Sequence, residues 1–594
     1  MNGTVVSLGG HSYVVDIAKA IRRPVASLRQ QQDQGAQAGE QSLDNSALWK
    51  RTCSDFILGQ GQEFFDQEQE SNERRCWSVE NFDPLSDRRA LTTTPSFAEA
   101  LAAFTASGSY HRLIRTGSNF WWGSGSQLHR SASHTSFSTT SITGGPGVSE
   151  FRDLAVFGTT VYVAYQTGVY SGSATGSSVS SFSTQDCDAI SAELGRVVGG
   201  KDNSLFELDS TGTRIDVFDH PNTAWDWNCF ASGGAGIYVG GHDGLKSEIY
   251  LITIIDATGA LAPPFPVAQL PAGELVRRIA FFGGFLVVAT SKGVRIAQAT
   301  QSGLLSLGPL IELGDTLGVA FEGRMAYVTC SSIPVHDNPG IVALDLSRFT
   351  APLTPAYCAH SVLDTASTYT ARDVATYDGR VLGLLATGGS NTLRYSSSTA
   401  YGTGKYWSGA ITFGTPEMKN FYNLEVTYDA LPSSTSVTAS VYDAVGGTVY
   451  ASQTDATAGS KGMTITFDTE LRAEAAHVYL QAAGASSPVT IRRWTLRAVV
   501  APEFLAEEII LPLQLESVVT TEDNGRLHYD PAAEWTYLVG LMRSRSLVEL
   551  RFGTETTNVW VDQVGVDSGM WHSWDRYDRW PEGLVLVRLL TVGS

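Results

Sequence analysis

Charge is scarce in this chain of 594 residues. Lys and Arg number 41 and Asp and Glu 60, so 17% of positions are charged, against roughly 25% in an ordinary soluble domain. Long solvated helices need more Glu and Lys than that, which argues against a mainly helical protein. Positive charge is the scarcer sign: the net charge of −19 makes a phosphate backbone an unsuitable main partner, and no nucleic acid is expected. Cysteine is also rare. Cys53, Cys76, Cys187, Cys229, Cys330 and Cys358 are all far apart, and no two have the spacing of a zinc site or a redox pair. They read as small buried hydrophobes.

Long apolar runs are missing too. The longest, Ile279 to Ala289, is broken by Gly283 and Gly284 and falls well short of the ~18 residues that span a bilayer, so no membrane insertion is expected. Met1 to Asp16 lacks the basic and apolar regions of an export signal. Nucleophile elbow, phosphate loop, His-Glu-x-x-His and calcium loop are all absent, so the expectation is no metal, no cofactor and no assigned catalytic residue.

What the chain does have is glycine, 59 residues of it, with 43% hydrophobic residues to build cores. Low charge with abundant Gly suits short strands and tight turns, an all-β protein. One pattern recurs: an apolar strand, a Gly turn, then a second apolar strand. Clear copies are Leu154 to Ala164, Ile279 to Ala289, Val319 to Val328 and Val374 to Leu384. Weaker ones centre on Gly117, Gly195 and Gly236. The turn glycines 117, 158, 195, 236, 284, 323 and 379 are separated by 41, 37, 41, 48, 39 and 56 residues. A period near 40 with four short strands per unit is the signature of a β-propeller, here of about seven blades over residues 107–402.

The remaining boundaries follow from changes in pattern. Residues 1–106 begin with a hairpin turning at Gly9 and Gly10 and continue into the Gln-rich stretch Ala26 to Leu43. That stretch is too polar for a core, and reads as a linker or as an extended docking arm with Leu28, Leu43, Leu48 and Trp49 as its apolar anchors. Residues 403–500 alternate strictly, as in Leu424, Val426 and Tyr428, which predicts a jelly-roll-like β-sandwich. Residues 501–594 form a C-terminal β-rich module with one helix over Pro531 to Met542, where Trp535, Leu538 and Leu541 share a side.

Two sets of residues are candidates for function. Trp121, Trp122, Trp225 and Trp227, and the polar run carrying Trp571, Trp574, Tyr577 and Trp580, suit stacking on sugar rings or anchoring a protein interface. For the first four, filling a blade core is the favoured reading. Asp153, Asp202, Asp226, Asp243 and Asp373 lie near blade strands and would be the source of a carboxylate pair if the protein were a glycoside hydrolase. The Asp-box turn of sialidase-type propellers is absent, and an enzyme is not the favoured reading.

Three short elements carry a family resemblance: Gly39 to Arg51, containing Leu48-Trp-Lys-Arg51; Leu58 to Asp66, containing Gly59-Gln-Gly-Gln62; and Tyr529-Asp-Pro-Ala-Ala-Glu-Trp535. With the closing Leu586 to Gly593, they make the chain resemble minor tail proteins of tailed bacteriophages, particularly those infecting actinobacteria. The resemblance implies a structural component of the virion at the distal tail or tail tip. It implies other phage tail proteins and further copies of the chain as partners, with host cell-surface glycan as an additional contact. It offers no catalytic residues. A carbohydrate-binding or glycan-degrading propeller protein is the alternative.

Overall fold

A computed structural model describes residues 4–591 apart from 16–19, 25–47, 64–74, 98–99, 106–109, 118, 132–139, 142, 144–149, 256–258, 334–337, 363–368, 378, 388–389, 398, 414–418, 444–446, 501–506, 522–524, 545, 554 and 567–582. Nearly every element is a strand, and Pro531–Ser544 is the one helix among the described residues.

Seven antiparallel four-strand meanders follow one another through the middle of the chain. Their first strands are His111–Thr116, Phe151–Phe157, Ala189–Ser191, Asp226–Gly233, Val276–Phe282, Val319–Glu322 and Tyr369–Tyr377. Each lies beside the next, and the last lies beside the first, so the sheets form a closed ring around an axis. This is the β-propeller arrangement, and the sheets are called blades one to seven below. The outermost strand of blade seven is Ala100–Thr105, which comes from ahead of blade one and ties the two ends of the ring together.

The turn glycines behave as their spacing predicts. Gly117, Gly158, Gly195, Gly236, Gly284, Gly323 and Gly379 each join a first strand to a second, and all have positive φ, between +57° and +149°. That region is open to glycine and strained for other residues, which is why a tight hairpin between apolar strands places Gly there.

The sandwich has one sheet of Ser78–Glu80, Thr403–Trp407, His477–Ala483, Ser436–Tyr442 and Val449–Asp455. The other contains Gly462–Ala473, Lys419–Tyr428 and Thr490–Val500, with Leu48–Cys53, Leu91–Thr93 and Phe82–Asp83 completing it. Leu424, Val426, Val437, Ala439, Leu480 and Trp494 fill the space between the sheets. The first sheet does not stop at the domain edge. Ser78–Glu80 runs parallel to Thr354–Val362 of blade six, with Ala359 opposite Glu80, so propeller and sandwich share a nine-stranded sheet.

The third body is a closed barrel. Going round it, the strands are His11–Val15, Thr4–Leu8, Val548–Phe552, Glu555–Val566, Gly583–Thr591 and Glu507–Leu515. The ring closes where Val14 and Val15 pair with Gln514 and Leu513. Leu511, Leu513 and Leu515 alternate with outward residues, and the helix covers the core with Leu538 and Leu541. Asp530 caps that helix, accepting the amides of Ala532 at 3.0 Å and Ala533 at 3.2 Å. Its Glu534 accepts hydrogen bonds from Tyr13 Oη at 2.6 Å and lies 2.9 Å from His11 Nδ1, fastening the first hairpin to the helix.

The first hundred residues therefore do not make one unit. They supply strands to barrel, sandwich and propeller, because each of those bodies otherwise exposes an unpaired strand edge. Leu48 and Trp49 were expected on an arm reaching a neighbour; they sit in a strand paired with Thr490–Val500 of their own chain, opposite Val499 and Ala498. Leu28 and Leu43 lie outside the described residues.

Candidate functional site on the propeller axis

The tryptophans singled out in the propeller are core residues. Trp121, Trp122 and Trp227 are fully buried and Trp225 is nearly so. Both faces of a blade pack against neighbouring blades, so alternate residues of a strand are all taken into cores. Trp121 packs with Phe151 and Val163 of blade two, whereas Trp122 packs with Leu382 and Leu384 of blade seven. Trp227 sits between Val198 of blade three and Tyr250, and donates Nε1–H to Asn203 O at 2.9 Å. None of the four offers a face to a sugar or a partner. Trp571, Trp574, Tyr577 and Trp580 lie outside the described residues.

Charge gathers instead on the axis. Four of the first strands carry a bulge near their start, at Arg152, Asn228, Arg277 and Arg372. A bulge re-aims successive side chains, and here the bulged positions and those after them include Arg152, Asp153, Arg277, Arg278, Arg372 and Asp373. The sequence signal is an Arg-Asp or Arg-Arg pair opening a blade: Phe151-Arg-Asp-Leu, Val276-Arg-Arg-Ile and Ala371-Arg-Asp-Val.

Two carboxylates in this set are staples between blades. Asp153 Oδ1 accepts the amide of Leu154 at 2.9 Å and its Oδ2 that of Ile190 on blade three at 3.1 Å. Asp373, fully buried, accepts Val374 N at 2.9 Å and Leu113 N of blade one at 2.7 Å. Arg112 joins them, with Nη1 3.1 Å from Asp373 and Nε 3.4 Å from Asp153. Burial alone would lower the Arg112 pKa, but Asp373 and Asp153 outweigh it and hold the guanidinium above its ordinary value. Arg278 of blade five reaches Asp153 at 3.8 Å. Blades two and five are not neighbours in the ring, so this contact crosses the channel. Burial, and then the like charge of Arg112, lower the Arg278 pKa.

Towards the starts of the first strands, a second group lines the mouth. The Arg152 guanidinium lies 4.2 Å over the Tyr110 ring and 3.5 Å from Asp188. Lys201 Nζ donates to Asp188 at 2.8 Å and is 3.6 Å from Asp202. Burial first, and then the charges of Asp188 and Asp202, push the Asp226 pKa up to about 6. Its Oδ1 is buried and has no hydrogen-bond partner. His242, opposite Asp226 on the next strand, has a buried Nδ1 without a partner; burial, followed by Arg277, lowers its pKa and favours the neutral ring.

Of the carboxylates expected near blade strands, the structure thus brings Asp226 and Asp202 towards Asp188, which sequence reasoning did not pick out. It locks Asp153 and Asp373 into structural roles and leaves Asp243 in an exposed turn, where the amides of Lys246 and Leu245 hold its pKa low. Among the described residues no group of three or more His, Cys, Asp or Glu could hold a metal ion. All six cysteines are buried and unpaired, as expected of small core residues. A groove where blade six meets the sandwich, lined by Ile57, Leu58, Arg88, Arg348 and Phe349, is remote from this chemistry.

The architecture is that of a β-propeller protein with a sandwich and a barrel attached. No protein-family model matches the chain, and no curated protein is similar to it in sequence. Similar solved structures are β-propellers of varied functions. Virginiamycin B lyase from Staphylococcus aureus is 11% identical with a TM-score of 0.37, covering 52% of this chain and 99% of its own. The β-propeller domain of Cps50 (Swd1) from Myceliophteria thermophila is 10% identical with a TM-score of 0.36, covering 50% and 99%. YCF48 bound to the D1 peptide is 12% identical with a TM-score of 0.37, covering 51% and 98%. The likeness is one of fold and not of activity.

Proposed function

We propose that the chain is a minor tail protein of a tailed bacteriophage, a structural component of the distal tail or tail tip that assembles with other tail proteins and with its own copies. Its place is the virion, with the propeller available to the host surface. One observation supports the reading beyond the motifs themselves: each motif that carries the resemblance sits at a weld between distant segments. Leu48-Trp-Lys-Arg51 is a sandwich strand, Gly59-Gln-Gly-Gln62 joins sandwich to blade six, and Tyr529 to Trp535 joins the helix to the first hairpin. A chain fastened at its junctions suits a rigid particle component.

Mass spectrometry and cross-linking of purified particles test the proposal. The chain should be present in the tail fraction, with cross-links to other tail proteins and between its copies. Its absence from particles overturns the reading.

The mouth of the channel favours a second reading, a carbohydrate-binding or glycan-degrading propeller. Asp226, whose pKa burial and the charges of Asp188 and Asp202 push up to about 6, is a carboxyl group of the kind that an acid role requires. Release of reducing sugar from host-wall polysaccharide, abolished by Asp226→Asn, would establish it. Absence of both turnover and binding would remove it.

A further inference from the structure

The axis of the propeller holds more hydrogen-bond donors than acceptors. A guanidinium has five N–H groups and no acceptor of its own. Those of Arg278 meet one carboxylate, Asp153, at 3.8 Å, and among the described residues its side chain makes no hydrogen bond. Its Nε is buried and makes no hydrogen bond; that of Arg112 makes none either, though it lies 3.4 Å from Asp153. The two nearby carboxylates are shared among several donors. Asp153 already accepts from Leu154 and Ile190, and Asp373 from Leu113, Val374 and Arg112. Arg278 is thus a cation with a side chain only 16% exposed, set against a second cation with which it shares its one carboxylate, Asp153. Burying such a group without a hydrogen bond is unfavourable, and a further acceptor would stabilise it.

We infer that the propeller axis is a binding site for a small oxyanion, a phosphate or carboxylate group, held by Arg278 and Arg112. Planar guanidinium forks match both groups bidentately, and the two here converge on one oxygen, Asp153 Oδ1. The anion arrives free or as the charged substituent of a saccharide. At the mouth, Arg152 and Lys201 pair with Asp188, so cations stand there beside the carboxylates. The inference does not rest on the tail reading: an anion site is compatible with any role for the propeller.

Thermal unfolding of the full chain is measured against inorganic phosphate, glucuronate and, as a neutral control, glucose, at constant ionic strength. A saturable rise of about 2–5 °C with an anion and none with glucose is expected. Phosphate acting alone identifies a phosphate group as the ligand, and glucuronate acting alone identifies a sugar carboxylate. Arg278→Gln should weaken binding about tenfold or more, with Arg278→Lys intermediate because it keeps the charge and loses the fork. A second measurement needs no variant: crystals of the wild-type chain soaked in selenate should show anomalous scattering within hydrogen-bond distance of Arg278. No saturable shift with either anion, an equal shift in a folded Arg278→Gln variant, or an axis without selenate overturns the inference.

Discussion

The side-chain carbonyl of Gln60 accepts the backbone N–H of Val79 at 2.9 Å. The same oxygen lies 3.4 Å from the amide of Ala359, so one side chain holds the sandwich edge against blade six at the point where the nine-stranded sheet passes from one body to the other. Main-chain bonds flank it: Gln60 N donates to Tyr357 O at 2.9 Å, and Gln62 N to Cys76 O at 3.0 Å. Gln60 is 1% exposed, so its loss leaves two strand amides without an acceptor and without water. Gln60→Ala is expected to cost about 2–3 kcal/mol in urea denaturation. A change below about 0.5 kcal/mol would mean that the parallel pair holds without it.

Asp373 is the tighter of the two axis staples. Asp373→Ala strands the amides of Leu113 and Val374 and removes the nearer partner of a buried Arg112. A loss of about 3–5 kcal/mol is expected, because the cation left behind is desolvated. Asp373→Ala combined with Arg112→Met should recover part of that loss. A double variant no more stable than the single would show that the amides, not the charge, dominate.

Two glycine substitutions should separate sharply. At Gly158, φ is +59° and a Cβ would meet nothing within 4 Å, so Gly158→Ala carries only backbone strain, about 1 kcal/mol. At Gly293, φ is +148° and a Cβ would stand 2.0 Å from Ile311 O, which is main chain and cannot turn aside. Gly293→Ala should therefore be several times more destabilising. Equal melting temperatures for the two variants would contradict this.

Asp226 predicts a pH dependence. Its folded pKa of about 6 lies above the ordinary carboxyl value of 3.8, so between those values the folded state binds more protons than the unfolded. Stability contributed at this position falls as pH rises through that window and stays lower above it. Because the group is partly solvated, the difference is discounted to about 1–2 kcal/mol. Asp226→Asn should match wild type near pH 4 and gain on it up to pH 6. A gain that does not grow with pH would refute the assignment.

Trp227→Ala tests whether the propeller tryptophans are core or contact residues. Emptying a fully buried indole site between blades three and four should cost about 3–5 kcal/mol. A variant of unchanged stability that loses only ligand or partner binding would restore the surface role.

Several features were legible in the chain before any coordinates. Gly158, Gly284, Gly323 and Gly379 mark their hairpins because positive φ is a property of one residue in a tight turn. Leu538 and Leu541 show the apolar side of the helix, and the alternation of Leu424, Val426 and Tyr428 shows a half-buried strand. The role of Trp121 and Trp122 was not legible. An indole that fills a blade core and one that meets a sugar have the same neighbours in sequence, and the difference is which sheet lies across from it. Asp188 escaped notice for the same reason: its partners Lys201 and Arg152 come from other strands, and nothing at position 188 announces them.

Sequence alone determined the clearest hairpins and the faces of their strands, since turn conformation and side-chain alternation act over a few residues. Only the tertiary structure decided where the first hundred residues go, how Ser78–Glu80 meets Thr354–Val362, and how Asp153 comes to face an arginine on the far side of a ring. Those pairings join residues far apart in the chain. Any open strand edge could accept any exposed strand by hydrogen bonding alone. The choice among edges is made by the apolar area each pairing buries and the buried charges it neutralises, quantities that exist only once all three bodies are assembled.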